Sequence, residues 1–409
     1  MTPSTDVLIF SKRFIGGVRT VAQILTESGR RPVLVSDEPA DVNRDACAAH
    51  IVVDWDADDL EQLVKAVDAA GVVPSAVVNF VEPLIGWQIR VTRHYGLPGG
   101  EAGREILLSK AKVREEMRRL GLSGVRFAAG PVGSLDARCV TGYPVIVKPA
   151  QDSGSSRLVR RADDAAQLDA HLREIGESAG AGLHVIVEQY VEGTEFSMDG
   201  PVTAGRFHAL LVVEKTEHDE RRHHDAGLRI TPPPSEHVRR GAQELAGRIT
   251  ALCGGSEITS GWLHVEGRAA RDGSVELIEI NPRPGGGLHR AATIRTCGVD
   301  PIHASVLMAL GVDEPMDGAA GLADRTRSDE LLALLPFEAD RTGVLVSATP
   351  LDELKRIPGV VDGYQFENFR VTSMDQENFF TETLITADSV EGLSEVARRV
   401  EAAFTFTFE

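Results

Sequence analysis

The chain has 409 residues, with 61 acidic against 43 basic side chains and a formal net charge of −18. That length exceeds one packed core and predicts two or three units. The charge disfavours nucleic acid and anionic membrane as partners, because their phosphates are repelled over most of the surface. No window approaches a membrane span, and Met1 to Asp6 lack the basic and apolar runs of a signal peptide. Cys47, Cys139, Cys253 and Cys297 are scattered with no Cys-x-x-Cys. The expectation is a cytoplasmic protein with reduced thiols, and neither a zinc site nor a disulfide framework.

The first hundred residues alternate strand and helix. Short apolar runs at 7–10, 32–36, 50–54 and 75–80 read as strands, with helices from Gly16-Gly17 to Ser28-Gly29 and from Ala57 to Ala70. Such a series predicts a doubly wound parallel sheet. Phe14-Ile15-Gly16-Gly17 lacks the Gly-x-Gly-x-x-Gly spacing, so a dinucleotide site is not expected. Glu82 follows the carboxyl end of the fourth strand, where ligands bind in open α/β sheets; a helix-start acid favoured by the dipole explains it equally well.

A helix is predicted from about Ser109 to Gly121. The strand from Tyr143 ends Val147-Lys148-Pro149 and is followed by a small, polar loop, 150–157, then by a strand from Leu158. Amides of such a loop can wrap phosphates without side-chain obstruction, although glycine- and serine-rich loops are also ordinary flexible turns. Residues 185–199 read as strands interrupted by a turn flanked by Glu188 and Glu195. The stretch 217–225 is a polar, histidine-bearing loop, either a solvated insertion, a lining of the substrate site or a transition-metal site.

Gly261 to Gly267 and Leu277 to Asn281 are strands joined by a turn ending in Asp272-Gly273, which places Glu266 across from Glu279. Glu279, Asn281 and Arg283 alternate and face one way. Two oxygen ligands and a guanidinium aimed at one point suit a magnesium nucleotide, and two facing carboxylates call for a cation between them. The glycine-rich exit Asn281-Pro282-Arg283-Pro284-Gly285-Gly286-Gly287 is a further site-like feature. The last eighty residues offer strands at 343–348 and 381–387 and an amphipathic helix at 389–403, with no catalytic motif; a structural role is expected.

Taken in order, Ser109-Lys110-Ala111-Lys112-Val113-Arg114, Val147-Lys148-Pro149 with its loop, Val187-Glu188-Gln189-Tyr190-Val191-Glu192-Gly193-Thr194-Glu195, Glu266, and Glu279-Ile280-Asn281-Pro282-Arg283 resemble the ATP-grasp carboxylate–amine ligases. Within that family the chain is similar to the branch of L-amino acid (dipeptide) ligases of the bacilysin type. The resemblance implies an α/β chain with the ATP-grasp fold: a doubly wound parallel βαβ domain at 1–107, a central nucleotide-binding subdomain at 108–195, and a C-terminal catalytic region at 196–409 that includes a small subdomain at 325–409.

It further implies ATP and Mg²⁺ as cofactors, two ions with Mn²⁺ as a substitute. Lys110, Lys148 and the loop residues Ser153, Gly154, Ser155 and Ser156 would hold phosphates. Glu188, with the backbone of Gln189 and Val191, would meet adenine, and Glu195 the ribose. Glu266, Glu279 and Asn281 would be the metal ligands, with Arg283, Glu279 and Lys148 catalytic. Glu82, Arg283, Gly286 and Gly287 would face the substrate. Ser109 stands where the family has Asp or Asn. The implied reaction joins an amino acid carboxylate to an amine through an acyl phosphate, on small-molecule substrates and in a possible homodimer. Another ATP-grasp ligase or carboxylase, of purine or cell-wall metabolism, and a non-catalytic nucleotide-binding regulator are the alternatives. The intact acids and lysines speak against the regulator.

Overall fold

The computed structural model describes residues 4–13, 17–151, 156–219, 224–312 and 330–409. Strands β1 (Asp6–Ser11), β2 (Arg31–Ser36), β3 (Ala49–Val52) and β4 (Pro74–Asn79) form a parallel sheet in the order β3-β2-β1-β4. Val7, Leu8, Ile9 and Phe10 are all buried, which requires cover on both faces. Helix α1 (Val18–Glu27) and the distant helix Pro301–Ala309 cover one face; α2 (Leu60–Ala69) and α3 (Ile85–Tyr95) cover the other. Asp59 caps α2 by accepting from the Gln62 amide. Glu82 stands just past the end of β4, ahead of α3.

Helix α4 (Lys110–Arg119) leads to a four-stranded antiparallel sheet of β5 (Phe127–Pro131), β6 (Val145–Pro149), β7 (Arg160–Ala162) and β8 (His184–Gln189), ordered β5-β8-β6-β7. Period-two alternation sorts its side chains. Val145, Val147, Val185 and Val187 pack under α5 (Ala165–Ala179), so Ile146, Lys148, Ile186 and Glu188 share the opposite face.

The largest sheet has nine strands: β9 (Thr194–Thr203), β10 (Arg206–Phe207), β11 (Leu211–Asp219), β12 (His224–Thr231), β13 (Ser260–Ala269), β14 (Val275–Asn281), β15 (Leu331–Glu338), β17 (Val360–Gln365) and β19 (Phe379–Ala387). Its order is β14-β13-β9-β11-β12-β15-β19-β17, with β10 on β9. Phe196, Met198, Leu263, Val265 and Leu277 pack under α6 (Glu236–Gly255). The intervening residues Glu195, Ser197, Asp199, His264, Glu266 and Arg268 therefore face the other way. Helix α7 (His289–Cys297) lies on that second face against Leu211, Val213, Leu332, Leu334 and Leu384.

Within the stretch expected to form a small subdomain, β15, β19 and β17 extend the large sheet through the Arg229↔Leu334 and Leu334↔Leu384 registers. Helix Val390–Ala403 buries Leu393, Val396, Ala397 and Val400. Strands β16 (Gly343–Ala348), β18 (Arg370–Val371) and β20 (Phe406–Phe408) make a small separate sheet. Among the described residues, no helix is long and apolar enough to cross a membrane.

Candidate active site

The cavity of 370 Å³ between the β6–β8 face and the large sheet is lined by every described residue nominated from the sequence. Lys110, Lys148, Ser156, Glu188, Gln189, Val191 and Glu195 come from the nucleotide group, and Glu266, Glu279 and Asn281 from the metal group; Glu82, Arg283, Gly286 and Gly287 complete the set. Ser153, Gly154 and Ser155 lie outside the described residues, as does much of the histidine-bearing loop.

The floor is a grid of charge. Strand β13 pairs with β9 so that His264 faces Asp199, Glu266 faces Ser197 and Arg268 faces Glu195. On its other side, Glu266 faces Glu279 and His264 faces Asn281. A bulge between Glu266 and Gly267 gives β14 one extra residue, Ile278, so strict alternation along 277–281 is broken and Ile278 also lines the cavity. Glu279, Asn281 and Arg283 nevertheless reach one space.

The two facing acids each have a protein cation beside them. Lys110 Nζ lies 3.0 Å from Glu279. Lys215 Nζ lies 3.1 Å from Glu266 and 2.7 Å from Glu195, which also accepts from Arg268 Nε at 2.9 Å. Burial would raise the Glu266 carboxyl, but Lys215, then His264, outweigh it and hold it well below the usual range. Burial opposes the charge on Lys110, and Glu279 more than restores it. Glu266 is therefore kept ionised for a hard cation, and the Glu279 side chain opposite it and the Asn281 amide oxygen complete a donor set that fits Mg²⁺.

Glu188, expected beside adenine, is held in two ion pairs. Its Oε1 lies 2.7 Å from Lys148 and its Oε2 accepts from Arg114 Nε at 2.7 Å. Burial works against ionisation, yet Arg114 and Lys148 bring the carboxyl down to about 2. Because β14 is the edge of its sheet, its carbonyls are open to cations from outside. Arg114 Nη2 donates to the Leu277 carbonyl at 2.6 Å and Lys148 Nζ to that of Ile278 at 3.1 Å. Glu188 thus clamps Lys148 over β14. Glu195 is likewise held between two cations, with lone pairs left for a hydroxyl donor.

Sequence reasoning missed Lys215, Arg268, Asp199, His264 and His289. His264 and Arg268 sit two residues either side of Glu266, so strand period alone could have nominated them. Asp199 Oδ2 accepts from His264 Nδ1 at 2.7 Å, and Oδ1 from the Gly285 amide at 2.7 Å and from Trp262 Nε1 at 3.3 Å. His289 Nδ1 meets the Gly286 carbonyl at 2.8 Å and Nε2 the Ser197 hydroxyl at 3.3 Å. Asp199, His264 and His289 bring ligand atoms within 4.8 Å of one another. The Asp199–His264 contact is a hydrogen bond that leaves no space for an ion between its atoms, so the cluster reads as a hydrogen-bonded prop for the 285–289 turn. Burial lowers His289 to about 4, whereas Asp199 lifts His264 against burial to about 9. Asp199→Asn should cost about 1–3 kcal/mol of stability by thermal or urea unfolding, less than for a partner of arginine because the imidazole can shed its proton. An unchanged midpoint would refute the prop.

The family model of the ATP-grasp domain matches residues 141–292, the stretch that carries β6 to β14 and the floor of this cavity. Residues 141–292 are an ATP-grasp domain. Among curated proteins, the D-alanine–D-alanine ligase of Porphyromonas gingivalis is 30% identical over 180 residues, 42% of this chain and 50% of that protein. That of Anaeromyxobacter dehalogenans is 34% identical over 207 residues, 46% and 60% of the two chains. The chain thus spans between half and three-fifths of these relatives. An L-amino acid ligase from Bacillus licheniformis superposes over 100% of both chains with TM-score 0.80 and 19% identity. Phosphoribosylglycinamide synthetase from Anaerococcus prevotii does so over 100% of both with TM-score 0.68 and 13% identity. The biotin carboxylase domain of Hydrogenobacter thermophilus 2-oxoglutarate carboxylase, solved with MgADP, ADP and bicarbonate, gives 0.68 at 16% over 99% and 91%. At these identities the likeness concerns the fold, which is the ATP-grasp fold in both its N-terminal parallel sheet and its antiparallel sheets.

Proposed function

We propose that the protein is an ADP-forming carboxylate–amine ligase that activates an amino acid on ATP. One observation carries the reading: the phosphate-type lysines Lys110 and Lys148, the facing acids Glu266 and Glu279, and Arg283 line a single cavity. No cysteine is among the described residues of that lining, consistent with chemistry that runs through the substrates.

Lys148, held by Glu188, and Lys110 neutralise phosphate oxygens. The backbone of Gln189 and Val191 meets the adenine edge, and Glu195 accepts from ribose. Glu266, Glu279 and Asn281 would hold a divalent metal, which would offset negative charge on the transferring phosphoryl group. An oxygen of the amino acid carboxylate attacks the γ-phosphorus, the bond to the β-phosphate oxygen breaks, and ADP leaves. The amine nitrogen then attacks the acyl carbon, the carbon–oxygen bond to phosphate breaks, and the nitrogen releases a proton to solvent as phosphate departs. Arg283 stands 2.9 Å from Glu82, so one residue pair joins phosphoryl stabilisation to recognition of the substrate ammonium. Catalysis here is positioning and electrostatics.

With ATP, Mg²⁺ and one amino acid but no acceptor, hydroxylamine should trap an amino acid hydroxamate in step with ADP release. AMP and pyrophosphate as products would rule the mechanism out.

A further inference from the structure

Arg268 and Tyr190 line the cavity and take no part in the steps above. Arg268, on β13, is 5% exposed and stands in register with Glu195 on β9. Its Nε donates to Glu195 Oε2 at 2.9 Å, and its Nη1 to the Tyr190 hydroxyl at 2.7 Å and to the Val191 carbonyl at 3.2 Å. One buried guanidinium therefore grips both the carboxylate proposed for ribose and the backbone proposed for adenine. The 190–193 segment is the link from β8 of the four-stranded sheet to β9 of the large one. Gly193, at φ +126, lets this link lie against β13: a Cβ there would stand 2.6 Å from the Ala269 carbonyl carbon and oxygen. Tyr190 is also held from the four-stranded sheet. Its amide donates to the Pro144 carbonyl at 3.0 Å, and the Arg161 guanidinium, on β7, lies 4.3 Å from its ring centre.

We propose that Arg268 is a positioning residue for nucleotide selection: it sets the spacing between Val191 and Glu195 and, through Glu195, the preference for a nucleotide whose ribose hydroxyls are both present. The inference rests on the ATP reading above. Glu195 Oε1 meets Lys215, which also serves Glu266, so Lys215 alone would leave the carboxylate on a cation shared with the proposed metal site. Arg268 fixes the second oxygen, and with it the plane of the carboxylate, while each oxygen keeps a lone pair for a hydroxyl donor. An acceptor already held in its bound orientation spares the ordering cost of binding, which is what turns a hydroxyl contact into selectivity. With Nε and Nη1 given to protein acceptors, Arg268 acts on the nucleotide through Glu195 and Val191. A planar fork is needed for this, because a lysine ammonium is a point charge on a flexible stem and does not hold a carboxylate and a carbonyl in one fixed geometry.

The test is equilibrium binding of ATP, 2′-deoxyATP and 3′-deoxyATP to the full chain, by calorimetry with Mg²⁺ present and no amino acid. The unaltered protein should bind ATP at least about tenfold more tightly than one of the deoxy analogues, the loss expected for a hydrogen bond to a charged group. Arg268→Met should bring that ratio to within about threefold, by weakening ATP while leaving the analogue nearly as before; Arg268→Lys should restore part of the ratio. Tyr190→Phe keeps the ring and removes one acceptor that holds the guanidinium, and should lower the ratio about two- to threefold. Equal weakening of all three nucleotides by Arg268→Met marks a merely structural part and overturns the inference, as does an unchanged ratio. ATP binding with no preference over either analogue in the unaltered protein overturns it too and leaves the ligase standing. No ATP binding overturns the ligase reading and this inference with it. Should Arg268→Met not fold, Tyr190→Phe decides, and an unchanged ratio there overturns the inference.

Discussion

Glu279→Gln should lower steady-state ADP release by about 10²–10³-fold or more while lowering the melting temperature only modestly. Glu279 faces Glu266 across the β13–β14 pair, lies 3.0 Å from Lys110 Nζ and stands two residues from Asn281 on the same strand. Removing its charge takes away one carboxylate of the proposed metal-ligand set, and the amide that replaces it binds a hard cation more weakly. Stability should fall modestly, because Lys110 loses its main counter-charge, while the side chain keeps its size and Lys110 still feels Glu82 and Glu188. The comparison is turnover at saturating Mg²⁺ against a thermal melt. Near-normal turnover would remove Glu279 from the metal site.

Glu188→Gln should do the reverse in emphasis, and cost about 3 kcal/mol of stability. The native carboxyl is depressed from 4.5 to about 2, and each unit of such a shift corresponds to about 1.4 kcal/mol. The variant leaves Arg114 and Lys148 buried without their shared anion, the situation in which breaking a buried ion pair is costly. The sign with pH follows from the depressed value. The contribution is fully present above 4.5 and is lost as pH falls through about 2, so the unaltered protein should lose stability on acidification along a limb that the variant lacks. Nucleotide affinity should fall with it, since Lys148 loses its clamp. Urea unfolding at neutral and acidic pH would measure both limbs, and matching curves for the two proteins would refute the clamp.

Much of the site was legible because its determinants are local. The Asp272-Gly273 turn and the alternation on either side place Glu266 opposite Glu279 without knowledge of any other strand. The lysine that ends β6 and the acids flanking the β8–β9 turn are set by their own segments. What escaped depends on strand order. Lys215 reaches Glu195 and Glu266 because β11 lies beside β9, a pairing the apolar pattern of β11 does not specify. Arg114 and Glu188 meet across 74 positions, and Arg229 and Glu382 across 153. The C-terminal strands read as a separate structural unit because nothing in their alternation says that Leu334 pairs with Arg229. Cation and acid on an isolated strand look like a wet face, and only the sheet reveals that they are buried opposite partners.

Transfer of labelled oxygen tests the central claim most directly. An amino acid carrying ¹⁸O in its carboxylate is supplied with ATP, Mg²⁺ and the acceptor amine, and the released phosphate is analysed by mass. Attack of the carboxylate on the γ-phosphorus, followed by cleavage of the acyl carbon–oxygen bond, predicts one ¹⁸O in the phosphate for each amide formed. Unlabelled phosphate accompanying amide formation would contradict the acyl phosphate route.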